Sequence, residues 1–164
     1  MSTTHTTIDS PLGELILVAQ DATLSGVYFH GHWTPDPATF GERGERRLEH
    51  VEQQLAEYFA GERTSFDLPT TVTGSTFQRR VWALLHEIPY GQTTTYGEIA
   101  RELGGPALAR KVGNAVGHNP LSVIVPCHRV VGAGGKLTGY AGGLERKSFL
   151  LELEGALDRA PSLF

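Results

Sequence analysis

The chain has 164 residues, 40% hydrophobic and 20% charged, with a net charge of −4, which suits a globular chain with one sizeable core or two small ones. Its single cysteine excludes an internal disulfide and any multi-cysteine zinc site. No apolar run is long enough to cross a bilayer and the first residues form no secretory leader, so the cytoplasm, where a reduced thiol persists, is the expected compartment.

Residues 1–73 read as a small antiparallel sheet followed by a helix. Residues 6–8 run into Ser10-Pro11-Leu12-Gly13, with proline and glycine where a turn needs them, and strands at 14–19 and 24–29 flank a turn at Gln20-Asp21. Residues 30–44 are rich in glycine and proline and read as loop; His30 and His32 lack further ligands at metal spacing and read as surface histidines. Leu48, Val51, Leu55, Tyr58 and Phe59 make a helical stripe over 46–60, and Gly61 stands where a helix stop belongs. Residues 67–74 read as a linker. No chemistry is visible up to this point, so the segment reads as scaffold.

The second part, 74–164, opens with a capping box, Ser75-x-x-Gln78, ahead of Phe77, Val81, Trp82, Leu84 and Leu85, and Ile88-Pro89-Tyr90-Gly91 stops that helix. A second box, Thr95-x-x-Glu98, starts a short helix through Leu103. After Gly104-Gly105-Pro106 a further helix, 107 to about 116, completes a helix–turn–helix. Ala107, Ala109, Gly113, Ala115 and Gly117 leave one side of it nearly bare, which fits either tight helix packing or the close approach of a bulky partner. Arg110 and Lys111 in their midst favour a nucleic-acid duplex, read by shape and backbone rather than base sequence. From 103 to 147 six basic residues (Arg110, Lys111, Arg129, Lys136, Arg146, Lys147) face Glu145 alone, a basic segment on an acidic body, as a polyanion-binding face requires.

Everything in this half is organised around Val123-Ile124-Val125-Pro126-Cys127-His128-Arg129-Val130-Val131. It places the one thiol on buried backbone beside a side chain that takes protons near neutral pH. Taken alone, the stretch also fits a buried, inert cysteine. If the run is a strand, Cys127 and His128 point to opposite faces, so a turn or helix start at Cys127, or a relaying water, is required. Glu154 closes a predicted helix over 144–153 before Gly155, where a carboxylate opposes the helix dipole by a few tenths to ~1 kcal/mol and needs a compensating partner such as an imidazolium.

Six stretches together resemble the O6-alkylguanine-DNA alkyltransferases: residues 92–100, 109–113, Gly117-His118-Asn119-Pro120, 125–131, Gly139-Tyr140-Ala141-Gly142-Gly143 and 150–155. The likeness is dense over 74–155; the N-terminal part is similar only in outline. It implies an α+β fold, with a small sheet-plus-helix domain (1–73) and a mostly helical domain (74–164) carrying the helix–turn–helix and a buried active-site cysteine. It implies repair by direct reversal. Duplex DNA is bound, an O6-alkylguanine (chiefly O6-methylguanine) is rotated out, and its alkyl group passes irreversibly to Cys127, once per chain. His128 would take the thiol proton through water, Glu154 would orient His128, and Asn119 would hold the turn before the cysteine strand. Tyr96 would donate to the departing guanine. Tyr140 would wall the base pocket, with Ala141, Gly142 and Val130 offering backbone N–H groups. Arg110 would fill the vacated space in the duplex, and Lys111, Thr95, Ala109, Gly113 and Ala115 would lie against DNA.

Some positions depart from the pattern. Lys111 stands where a small residue is usual, Thr95 replaces a serine, and Ala141 lacks a hydroxyl that some members carry. Cysteine rather than tryptophan at 127 argues against the family's non-reactive branch. No metal, cofactor or membrane is expected; a monomer is, with cooperative loading on DNA left open. The residues also admit two rivals: a non-catalytic damage-recognition module, and a cysteine hydrolase built on Cys127, His128 and Glu154.

Overall fold

The computed structural model describes residues 2–31, 33–44, 48–140 and 142–156. These form two compact units, one of residues 1–73 with Pro120–Ile124 and one of Gly74–Asn119 with residues from Val125 onward. Among the described residues no helix is long and apolar enough to cross a membrane.

In the first unit β1 (Thr3–Ile8), β2 (Leu15–Gln20) and β3 (Thr23–Phe29) pair antiparallel in sequence, with Ile8 opposite Leu15 and Leu15 opposite Phe29. A fourth strand, β4 (Glu42–Arg43), lies parallel to β1, so the sheet is mixed, in the order β3-β2-β1-β4. Nothing in its composition marks β4 as a strand; pairing alone fixes it. β2 is buried on both faces: Leu15, Leu17 and Ala19 on one, and Val18 under Tyr28 and Phe40 on the other. Phe40, from the predicted loop, stacks on Tyr28 at 5.6 Å. The helix α1 (Glu49–Phe59) contributes Val51, Leu55 and Tyr58 to this unit's core, and Gly61 takes the left-handed conformation (φ 78°) that ends it. Two isolated bridges cover the β3 edge, Leu24 with Thr70 and Val27 with Leu121.

The second unit holds α2 (Thr76–His86), α3 (Tyr96–Leu103), α4 (Ala109–Gly117) and α5 (Leu144–Leu153). Ser75 and Gln78 form the full reciprocal capping box, and Thr95 accepts from the Glu98 N–H at 3.1 Å. Between α3 and α4, Gly104 (φ 147°) and Gly105 (φ 155°) adopt conformations closed to other residues, and a 3-10 turn over Pro106–Leu108 leads into α4. Trp82, Val112, Ala115 and Val116 are buried together, the Trp82 indole donating to the Ala115 carbonyl at 2.8 Å.

The run before the cysteine is not a strand. Residues 121–125 form successive turns in which the Ile124 N–H bonds Ser122 O and the Cys127 N–H bonds Val125 O, each two residues back. Pro126 has no N–H for a ladder, and Val123 sits at φ 72°, a strained position for a β-branched side chain. A 3-10 turn, Cys127–Arg129, follows, then a two-residue strand β6 (Val130–Val131), parallel to β5 (Thr94–Thr95).

Candidate active site

Because Cys127 opens a 3-10 turn, the sulfur and the His128 ring are not forced to opposite faces. Cys127 is 3% exposed and His128 is fully buried. The Asn119 amide donates to Val125 O at 2.8 Å, closing the two ends of the 120–124 excursion just ahead of the cysteine. The side chains of Asn119 and Tyr140 also act on the thiol, favouring its ionised form.

His128 Nε2 and Glu154 Oε2 are 2.8 Å apart. A carboxylate has no proton to give, so Nε2–H is the donor and Nδ1 carries the lone pair in the neutral ring. Among the described residues Nδ1 is buried and makes no hydrogen bond. Glu154 is itself held by Arg129, whose Nε reaches Oε1 at 2.8 Å and whose Nη2 reaches Oε2 at 2.9 Å; Nη1 donates to Ile88 O at 2.6 Å. The carboxylate at the end of α5 thus has the partner expected in His128 and a second one in Arg129, which the sequence pattern did not single out.

Lys147 is a further surprise. It is 0% exposed, and its ammonium donates to Thr138 O at 2.7 Å and Gly139 O at 3.2 Å. Two of the six basic residues counted toward a surface face, Arg129 and Lys147, are therefore buried in the site. The signal was present in α5: Lys147, Leu150, Leu151 and Glu154 share one helical stripe, so a lysine and a glutamate occupy inward positions.

Burial sets the protonation states. It pushes the Cys127 thiol up, opposed by the side chains of Asn119 and Tyr140 and by the charge of Lys147. It pulls His128 down, helped by Arg129 and Lys147 and opposed by Glu154. Lys147 falls to about 8 by burial, with Cys127 acting against the shift. The resting pair is accordingly a neutral thiol beside a neutral imidazole, and forming the thiolate requires a proton acceptor and a nearby cation; both are present.

A cavity of about 590 Å³ is lined by Tyr96, Ala109, Arg110, Gly113, Val116, Gly117, Thr138, Gly139 and Tyr140. It brings the tyrosine, the arginine and the small side of α4 to one place, with Thr138 as a polar group the sequence did not suggest. Burial raises the Tyr96 phenol, opposed by a hydrogen bond from Thr138, and its hydroxyl donates to Gly139 O at 3.4 Å. Neither Cys127 nor His128 lines this cavity, and a second one of about 630 Å³ in the same unit is lined by none of Tyr96, Arg110, Cys127 and His128.

Several expected contacts fall elsewhere. Ala115 is 2% exposed, with its carbonyl bonded by the Trp82 indole, which puts it on the core side of α4 rather than on the face offered to a duplex. The Val130 N–H, expected to serve the base, donates to Cys127 O and caps the 3-10 turn. Gly142 is buried with its carbonyl bonded by Arg146 and does not line the cavity; Ala141 lies outside the described residues. Thr95 spends its hydroxyl on the α3 cap. Lys111 is exposed, its ammonium 4.3 Å from the centre of the Phe77 ring.

Comparison with known proteins places this geometry. Residues 76–156 match the family described as 6-O-methylguanine DNA methyltransferase, DNA binding domain, and residues 3–72 match the ribonuclease-like domain of the same proteins. The methylated-DNA–protein-cysteine methyltransferase of Mycobacterium bovis is 49% identical over 96% of this chain and 94% of its own length. The crystal structure of Mycobacterium tuberculosis O6-methylguanine methyltransferase is 48% identical, with a TM-score of 0.86 over 98% of this chain and 96% of that one. The Mycobacterium tuberculosis OGT solved in complex with DNA is 47% identical, with a TM-score of 0.80 over 99% and 96% of the two chains. The chain belongs to the methylated-DNA–protein-cysteine methyltransferase family.

Proposed function

We propose that this protein repairs DNA by taking the alkyl group of an O6-alkylguanine, chiefly O6-methylguanine, onto Cys127, once per chain. The carrying observation is the hydrogen-bonded series Arg129–Glu154–His128, ending in a buried Nδ1 without a hydrogen bond on the residue that follows the only cysteine.

The duplex lies against α4, with Ala109 and Gly113 allowing close approach and Lys111 adding a phosphate contact. The alkylated base turns out into the cavity at a cost of a few kcal/mol in stacking and pairing, and Arg110 on the cavity rim fills the space it leaves. The Cys127 proton passes to His128 Nδ1, relayed by one water, and the imidazolium is stabilised by Glu154. The thiolate attacks the saturated carbon attached to O6. The S–C bond forms as the C–O6 bond breaks, and the electron pair stays with the purine. Tyr96 turns its hydroxyl from Gly139 to the base and donates to it, so guanine leaves neutral; the His128 proton makes good the one given. A thioether is a poor leaving group, so the sulfur is not regenerated.

Within this scheme 1–73 is scaffold, 74–164 carries DNA binding and transfer, and the protein acts as a monomer in the cytoplasm. Intact mass spectrometry after incubation with duplex DNA carrying O6-methylguanine tests the reading. The expected result is one methyl per chain, mapped to Cys127. Tight binding with no mass gain indicates a damage-recognition module, and acyl transfer from esters without DNA indicates a hydrolase.

A further inference from the structure

A fully buried lysine is rare unless something requires it, because the ammonium must leave water. Lys147 has no carboxylate partner among the described residues. Its proton-bearing nitrogen is committed to two backbone carbonyls, Thr138 O and Gly139 O, on the segment that lines the cavity. The Tyr96 hydroxyl bonds the same Gly139 carbonyl, and the ammonium lies 5.9 Å from the centre of the Tyr96 ring.

We propose that Lys147 is a positioning residue for the alkyl transfer: its ammonium clamps the Thr138–Gly139 backbone at the cavity wall and supplies the counter-charge for the Cys127 thiolate. This rests on reading Cys127 as the alkyl acceptor. The clamp explains how Tyr96 can serve two partners. When its hydroxyl turns to the base, Gly139 O keeps the Lys147 hydrogen bond and is not left without a donor. The counter-charge explains how a buried thiol ionises at all. The groups whose charge meets Lys147 are Cys127 and His128 on the 3-10 turn, with the polarisable Tyr96 ring on α3. The lysine favours the thiolate, and it disfavours the imidazolium, keeping His128 neutral and able to accept a proton before transfer.

Two variants of the full chain separate the two parts. Lys147→Gln keeps donors for the carbonyls without the charge, and Lys147→Met removes both. Folding is checked by thermal melting and duplex affinity by fluorescence anisotropy. The thiol is titrated through its rate of carboxymethylation by iodoacetamide, without DNA, across pH 6–10. Both variants are expected to bind duplex DNA as the parent does and to alkylate with iodoacetamide at least tenfold more slowly at neutral pH, with the titration displaced to higher pH. Methyl transfer from O6-methylguanine duplex is expected to slow at least tenfold in Lys147→Gln and further in Lys147→Met. Raising the pH recovers the former more fully than the latter. A parent-like thiol titration in folded variants overturns the counter-charge, and equal transfer rates for the two variants overturn the clamp. Should neither variant fold, the Lys147 side-chain carbon resonance is titrated in the parent protein before and after methylation of Cys127. The midpoint is expected to fall once the sulfur can no longer ionise, and an unchanged midpoint overturns the proposal. If the parent takes no methyl from DNA, the alkyl-acceptor reading fails while the iodoacetamide titration still decides the counter-charge.

Discussion

Arg129 grips Glu154 by both carboxylate oxygens, at 2.8 Å and 2.9 Å, while His128 bonds the second of them at 2.8 Å. The guanidinium, rather than the imidazole, therefore keeps this buried carboxylate ionised at rest. A neutral His128 can then be oriented by Glu154 without having to carry a proton for it. Removing one partner of such a pair leaves a buried charge, so Arg129→Met is expected to cost about 3–5 kcal/mol in urea unfolding. Pairing it with Glu154→Leu should recover most of that stability, because an apolar replacement of both ions is close to neutral. The double variant should still fail to take up a methyl group in single-turnover assays. Recovered transfer would show that the network serves folding alone.

The pH dependence on the acid side follows from His128, whose folded value is depressed mainly by burial. Below the ordinary histidine range the unfolded chain binds a proton that the folded chain refuses, so stability is present above that range and lost as pH falls through the folded value. Methyl transfer should fall only at the lower end of that interval, as pH passes the folded value and the acceptor at Nδ1 is consumed. In His128→Gln the slope of stability against pH should flatten, and transfer should drop by about 10²–10⁴-fold, the usual share of a placed base.

On the alkaline side Lys147 contributes in one sense, and Cys127 and Tyr96, both pushed up by burial, in the other. The folded value of Lys147, about 8, lies below the ordinary lysine value of 10.5. Between the two the unfolded chain holds a proton the folded chain has released, so the contribution of Lys147 to stability rises with pH. Transfer is expected to decline over this interval as the ammonium is lost. The measurement is the difference between the parent and Lys147→Met: the parent's denaturant midpoint should gain on the variant's with rising pH while its advantage in transfer rate shrinks.

Arg110 is exposed on the cavity rim, and Arg110→Ala should leave stability within about 0.5 kcal/mol. If it fills the gap left by the base, transfer from duplex DNA collapses while transfer from the free O6-methylguanine base is retained. The salt dependence of duplex binding should barely change, whereas loss of a phosphate contact would lower that slope by about one. Lys111→Ala is expected to show the reverse: a lower slope with transfer from the duplex preserved.

The helix starts were legible because capping is local: Ser75 with Gln78, and Thr95 with Glu98, need nothing beyond their own turn. The same holds for Gly61 and the Gly104-Gly105 turn. The cysteine stretch was legible as chemistry but not as conformation. An apolar run reads as strand, and only Val123 in a left-handed conformation with Asn119 fastened to Val125 O makes it a set of turns. β4 was invisible because two residues carry no pattern; the partner strand fixes them. Arg129 and Lys147 were counted as surface charge because composition cannot say which way a side chain points. Ala115 was assigned to the wrong side of α4 for the same reason, since a small residue fits either a partner or a core.

A reagent used once must survive until its target arrives. Ordinary oxidants and electrophiles in a cell attack cysteines that are ionised and open to them. With 3% of its surface reachable and burial pushing its thiol up, Cys127 offers them little of either. Under the proposed role, the enclosure that slows the sulfur in isolation would also preserve it for the electrophile that DNA carries to it.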